Sequence, residues 1–316
     1  MHSVLDPVSL RILIPGVLTL VTLSKTQLLH RVRPSARTRS HLNRTLTWGL
    51  TAALSAPALS AQRVPFDATS LVRRAMQHRL DADKHHQPLR YLLHKTDEKH
   101  DTTKEIIETK DGDVARLIAI NGKPLTAVAD SAELARLNDL ALHPELQQHR
   151  HQGEQKDQER VNRLMALLPD AFLFHLEATE PCPSGQCYRM SFTPNSHWDP
   201  PSMESKIFRG IAGEVWIDQA QERMTRIDAH FIADVDFGFG ILGKVNKGGT
   251  ALLEQADVGG NDWELTSLKL NVTGKALVLK SLSFQITEEA SHFSPVAPNL
   301  NYTQAIQLLK LSSPAP

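Results

Sequence analysis

The sequence predicts an α+β fold in which a strongly curved antiparallel sheet, a half or incomplete β-barrel, wraps over a few helices. Three observations predict it. Residues 224–237 alternate apolar and polar side chains, the pattern of a strand with one wet face. Short β-prone runs at 89–95, 103–109 and 113–121 are punctuated by Asp111-Gly112 and Asn121-Gly122, which are hairpin-turn dipeptides. Helical spacing is limited to a leading segment, one later insert and a short stretch of the tail, so the helices are a layer over the sheet rather than a bundle.

The chain opens with an apolar run, Ile12–Leu23, that is interrupted by Pro15 and Gly16 and is short for a bilayer span. A basic, acid-free stretch with Arg31, Arg33, Arg37, Arg39 and Arg44 follows, and then an apolar run, Leu46–Leu59, that exits on small residues. Basic n-region, short h-region and small-residue exit make a signal peptide. Cleavage falls after Ser60, with Ala58 at the minus-three position, or after Ala61, so residues 1–61 are read as leader and the mature chain starts near Gln62. No Cys lies at that junction, so lipoprotein anchoring is not expected. The length of the leader points to a true start downstream of Met1, with Val32 the candidate; the alternative is an N-terminal membrane anchor with two hydrophobic segments. Either reading puts the globular part outside the cytoplasm, in the periplasm or on the periplasmic face of the outer membrane.

The globular domain is expected over 62–293. Its first helix covers 66–86, with Asp67 or Thr69 as N-cap and Leu71, Ala75, Met76 and Leu80 at helical spacing. After the three-stranded meander comes a polar helical insert at about 126–168. Its helices are Ala132–Leu142 and Gln155–Leu168, the second with Val161, Leu164, Met165 and Leu168 in one stripe, and His143–Glu154 reads as an exposed loop or helix end. A hairpin at 171–179 and 186–193 then leads into sheet to about 288. Within 224–237 the apolar face takes Thr225, Ile227, Ala229, Phe231, Ala233, Val235 and Phe237, alternating with Met224, Arg226, Asp228, His230, Ile232, Asp234 and Asp236 on the wet face. At 276–286, Ala276, Val278, Leu282, Phe284 and Ile286 share a face while Leu277 and Leu279 load the other. Residues 294–316, with Pro295, Pro298, Pro314 and Pro316, read as a loose tail carrying a short helix at Tyr302–Leu309.

Composition excludes several classes of function. Apolar residues at 41% and charged residues at 22% are those of an ordinary globular chain. Lys plus Arg equals Asp plus Glu at 35 each, so no basic field exists to gather nucleic acid. The two cysteines, Cys182 and Cys187, flank Pro183 and Gly185 and read as a disulfide across a tight loop in an oxidising compartment, worth about 2 kcal/mol. A redox dithiol or zinc knuckle needs CxxC spacing or further ligands nearby, and neither is present.

The remaining motifs resolve towards structure. Gly238 to Lys244 has the spacing of a phosphate-binding loop, but Val245 stands where Ser or Thr would hold magnesium, and Gly248-Gly249 prevents a following helix. A bent, glycine-rich strand connection is the reading. Fifteen His residues include His85-His86 and His149-Arg150-His151, yet no His-Glu-x-x-His string occurs, so no metal and no cofactor are expected. Asp234, Asp236 and Glu288 are the carboxylates a hydrolase would use, but no Gly-x-Ser-x-Gly elbow accompanies them, and no catalytic residue is assigned.

The meander ending Ala119-Ile120-Asn121-Gly122-Lys123-Pro124-Leu125, and above all Gly213-Glu214-Val215-Trp216-Ile217-Asp218 followed by Arg223-Met224-Thr225-Arg226-Ile227, resemble exported proteins similar to the outer-membrane lipoprotein-sorting (LolA/LolB-like) family. The resemblance covers roughly 66–290. It implies a half-barrel over helices whose hydrophobic concavity shelters acyl chains.

A concave apolar face with a helical lid is the usual form of an apolar ligand site. The expected function is therefore binding of a lipid or lipoprotein acyl chain as an envelope carrier or sensor, with lipid, acylated protein or other envelope proteins as partners. Trp216, Ile227, Phe231, Val235, Phe237, Phe239 and Phe284 are the expected cavity residues. Two competing expectations are an envelope interaction module with a filled core and a hydrolase with raised carboxyl pKa values on its strands.

Overall fold

The computed structural model describes residues 66–82, 86–237, 243–276 and 280–312, so the expected leader lies outside the described residues. Helix α1 (Ala68–Ala82) leads to strands β1 (Leu89–Thr96), β2 (Asp101–Ile107), β3 (Val114–Ile120) and β4 (Lys123–Pro124). Helices α2 (Ala127–Leu142) and α3 (Pro144–Ala171) follow, then β5 (Phe172–Cys182), β6 (Gly185–Pro194) and a 3-10 turn at Glu204–Gly210. The remainder is β7 (Ile211–Asp218), β8 (Met224–Phe231), β9 (Val235–Phe237), β10 (Gly243–Val245), β11 (Thr250–Asp257), β12 (Trp263–Ala276), β13 (Lys280–Pro295) and α4 (Tyr302–Leu311).

Local chemistry starts and stops these elements. The Asp67 carboxylate accepts the Ser70 N–H at 2.9 Å and caps α1. Asn121 and Gly122, both in the left-handed region at φ 54° and 67°, make the tight turn between β3 and β4. Gly213 in β7 is required by proximity, because a Cβ there would collide with the Asp228 carbonyl of β8.

The strands form one antiparallel sheet in the order β4-β3-β2-β1-β13-β12-β11-β8-β7-β6-β5, with β9 and β10 attached beside β12. Strands β4 and β5 are its two ends and do not pair, so the barrel is open. The polar insert now has a purpose: α2 and α3 carry the chain from one end of the sheet to the other, α3 alone running about 42 Å. If the sheet were flat, β5 and β11 would lie about 19 Å apart. Side chains of both line a single cavity, so the sheet curls. This is the α+β half-barrel class that the sequence predicts. Among the described residues no helix is long and apolar enough to cross a membrane.

The main core joins α1 and α3 to the inner face of β5–β9 and β11–β13. A second packs α2 and α4 on Ile107 and Val114, and a small third cluster surrounds Tyr91 on the other face of the meander. The disulfide Cys182–Cys187 closes the β5–β6 hairpin.

Four local expectations are corrected. Residues 224–237 are not one strand, since the chain leaves the ladder at Ile232–Asp234, where the Ile232 N–H bonds to the Gly210 carbonyl at 2.8 Å. The patch His143–Glu154 is helical from Pro144 onward. Pro144 at the first helical turn pre-sets its start, and buried Gln147 donates to the Asp111 carbonyl at 3.0 Å. The tail after 294 is not loose over its helix: Asn301 and Gln304 form a capping box, and Ala305, Ile306 and Leu309 are wholly buried. Residues 276–286 divide between β12 and β13, with 277–279 outside the described residues.

Candidate functional site: an apolar cavity beneath the first helix

A cavity of about 70 Å³ lies between α1 and the curled sheet, and every side chain lining it is apolar. Val72 and Met76 of α1 and Leu168 of α3 form its roof. Phe172 and Phe174 of β5, Phe192 of β6 and Phe208 before β7 form one wall. Phe172 organises this wall, meeting Phe192 edge-on with centroids 5.0 Å apart and Phe208 at 5.5 Å. The floor is Ile211, Val215 and Ile217 of β7, Met224, Ile227 and Ala229 of β8, and Ala251 and Leu253 of β11.

Both Met224 and Ile227 reach this floor although three residues apart, which simple alternation forbids. A bulge in β8 resolves it: Trp216 pairs with Arg226 while Ile217 pairs with Met224, so Thr225 is an extra residue and the facing flips there. Met224, expected on the wet face, is therefore an inner residue.

Of the expected cavity residues, Ile227 lines the cavity. Phe231, Val235, Phe237 and Phe284 are buried in the surrounding main core without lining it. Trp216 turns to the opposite face, where its indole N–H donates to Glu180 at 2.7 Å and the Arg226 guanidinium lies 5.1 Å over its ring. Phe239 lies outside the described residues. The missed residues had a readable signal, because Val215 and Ile217 alternate with Trp216 and Phe172, Phe174 and Phe192 share a β5–β6 face.

Helix α1 is tied over the cavity by polar contacts at the surface. Arg73 pairs with Asp170 of α3 at 2.7 Å, and both side chains are more than half exposed. Arg74 bonds Glu222 of the β7–β8 turn through two contacts of 2.8 Å. That Arg74 contact holds the Glu222 carboxyl below its usual range. Arg223 donates to the His78 carbonyl at 2.7 Å. Exposed pairs of this kind hold a helix weakly, at about 0–1 kcal/mol each.

The carboxylates considered for hydrolysis sit elsewhere. Lys244, 2.6 Å away, and the Lys247 N–H hold the Asp234 carboxyl below its usual range, the opposite of what an acid catalyst needs. Glu288 pairs with Lys95 at 2.7 Å. After Lys244 the chain continues as strand and turn into β11 rather than into the helix that a phosphate loop needs.

No family model and no curated protein matches the chain. Among solved structures it is similar to an outer membrane lipoprotein-sorting protein domain from Vibrio parahaemolyticus, at 8% identity over 76% of this chain and 99% of that one, with a TM-score of 0.29. A DUF1329 family protein from Desulfovibrio piger is similar at 11% identity, over 72% of this chain and 91% of the other, with a TM-score of 0.26. MucB, solved in complex with MucA(peri), is similar at 9% identity over 73% of this chain and all of the other, with a TM-score of 0.21. At these TM-scores the likeness carries no property of those proteins to this chain, and the fold class rests on the strand pairing itself.

Proposed function

We propose that this protein binds an apolar ligand, a lipid or the acyl chain of a lipoprotein, beneath α1, and that it serves the cell envelope as a carrier or sensor. The observation that supports this is the wholly apolar lining of a cavity whose roof is a helix fastened by surface ion pairs. A ligand site for a molecule of this size has roughly 300–1,000 Å³. The cavity has about 70 Å³, so α1 must move to admit a chain. The small volume also favours a second reading, an envelope interaction module with a nearly filled interior.

Extraction and lipid mass spectrometry of the protein purified without detergent separates the two. The carrier or sensor reading expects close to one lipid per protein. It also expects loss of that lipid in Ile227→Asp, a charge on the half-buried floor, in a variant that keeps its native circular dichroism. Lipid no higher than in an unrelated exported protein handled identically sinks it in favour of the interaction module.

A further inference from the structure

His86 lies in the connection between α1 and β1, and its buried imidazole meets carboxylates from two distant parts of the chain. Its Nε2 is 2.8 Å from Glu108 Oε2, and that same oxygen accepts the Leu89 N–H at 2.9 Å. Glu108 therefore stands fixed behind the ring. On the other side, Nδ1 lies 2.9 Å from Asp262 Oδ2 and 3.6 Å from Glu264 Oε1. The side chains of His86, Glu108 and Glu264 are each only 7% exposed.

We propose that His86, Asp262 and Glu264 form a binding site for a divalent transition-metal ion of the zinc class, with Glu108 orienting the histidine. One ligand atom from each of the three lies within 4.8 Å of the others. In a tetrahedral site with bonds of about 2.1 Å, neighbouring ligand atoms are about 3.4 Å apart. The two distances from Nδ1, 2.9 and 3.6 Å, bracket that edge, so on the histidine side the site needs shifts of only a few tenths of an ångström. A carboxylate on the far ring nitrogen is the usual partner of a metal-bound histidine, because it keeps the proton on Nε2 and leaves Nδ1 free to coordinate. One imidazole nitrogen with two carboxylate oxygens suits zinc better than calcium or magnesium, which take oxygen ligands in larger number.

The sequence builds the carboxylate pair locally. Gly259, Gly260 and Asn261 all take left-handed conformations in the turn that delivers Asp262 to β12. Asp262 and Glu264 then share a side of the strand, while buried Trp263 between them points away and donates to Gln221 at 2.8 Å. An ion here pins the segment following α1 to the β11–β12 turn. This departs from the expectation of no metal, because adjacent histidines in the sequence gave no view of carboxylates so far along the chain.

Equilibrium dialysis of the metal-stripped protein against Zn²⁺ alone tests the site. One equivalent should bind and raise Tm, Asp262→Asn and His86→Gln should each abolish it, and Glu108→Gln should weaken it about 10–100-fold. Exposed histidines such as His149 contribute a background that all the variants share. Absence of a saturable equivalent overturns the proposal. Binding that survives in both Asp262→Asn and His86→Gln overturns it equally. Should His86→Gln fail to fold, Asp262→Asn decides, since that side chain is the most exposed of the ligands.

Discussion

Beneath α4, Ile107, Val114, Leu137, Ala305, Ile306 and Leu309 are wholly buried, whereas beneath α1 the aromatic wall of β5 and β6 faces small residues, Ala229 and Ala251, across a cavity. The fastenings differ in the same sense. Buried Arg116 reaches from β3 to the end of α4, donating to the Leu309 and Ser312 carbonyls at 2.6 and 2.7 Å, and it also pairs with Asp130. Helix α1 is held by exposed ion pairs and, at its far end, by buried Arg79, whose bond to the Trp263 carbonyl is long at 3.5 Å. The interior under α4 is thus filled, whereas that under α1 leaves space, and a less filled region opens at lower cost.

The largest expected effect breaks the rigid half. Leu309→Ala should lower stability by about 2–5 kcal/mol in urea unfolding, because a fully packed site collapses poorly around a deletion. A loss below about 1 kcal/mol would mean that this interior is no tighter than the other. Next, reducing Cys182–Cys187 should cost about 2 kcal/mol and lower Tm modestly, since the bridge closes only a short loop.

The sheet was legible because its chemistry is local: the turn at Asn121-Gly122 and the alternation around Phe231 speak for themselves. Several misreadings share a cause, a local pattern overruled by distant packing. Ile232 and Ala233 look like strand residues, yet the chain leaves the ladder there to reach Gly210. The bulge at Thr225 reverses the facing of Met224, and nothing in a run of alternating residues marks it. The prolines around α4 suggested a loose tail, although the capping box Asn301–Gln304 was there to be read. Trp216 is the bulkiest side chain of β7 yet faces away, and the cavity is lined by its neighbours Val215 and Ile217. The His86 cluster had no local signal, since Glu108 follows β2 and Asp262 and Glu264 lie more than a hundred residues further on.

A smaller effect sharpens the contrast. Ala251→Leu adds atoms where the interior has room, so its stability should change by less than about 1.5 kcal/mol. A larger loss, read from the same urea curves, would show that the cavity is closed to added volume.

The smallest effect concerns pH. Arg74 lowers the folded pKa of Glu222 below its unfolded value, so the pair contributes in full above the ordinary glutamate value of about 4.3. That contribution is lost as pH falls through the depressed folded value. Amide exchange in α1 should therefore quicken between pH 5 and pH 3 relative to α4, and Arg74→Ala should reduce that dependence, the remainder coming from the Asp67 cap, whose carboxyl the Ser70 bonds also hold below its usual range. Equal quickening in both helices would show that α1 is not separately fastened.

The proposed opening of the space under α1 to take an acyl chain is open to direct measurement. Titration of the protein with a pyrene-labelled sixteen-carbon fatty acid tests it directly. The account predicts saturable binding at one site per protein, weakened at least tenfold in Ala251→Leu and unchanged by Trp216→Phe on the opposite face. Absence of saturable binding, or binding indifferent to Ala251→Leu, would contradict it.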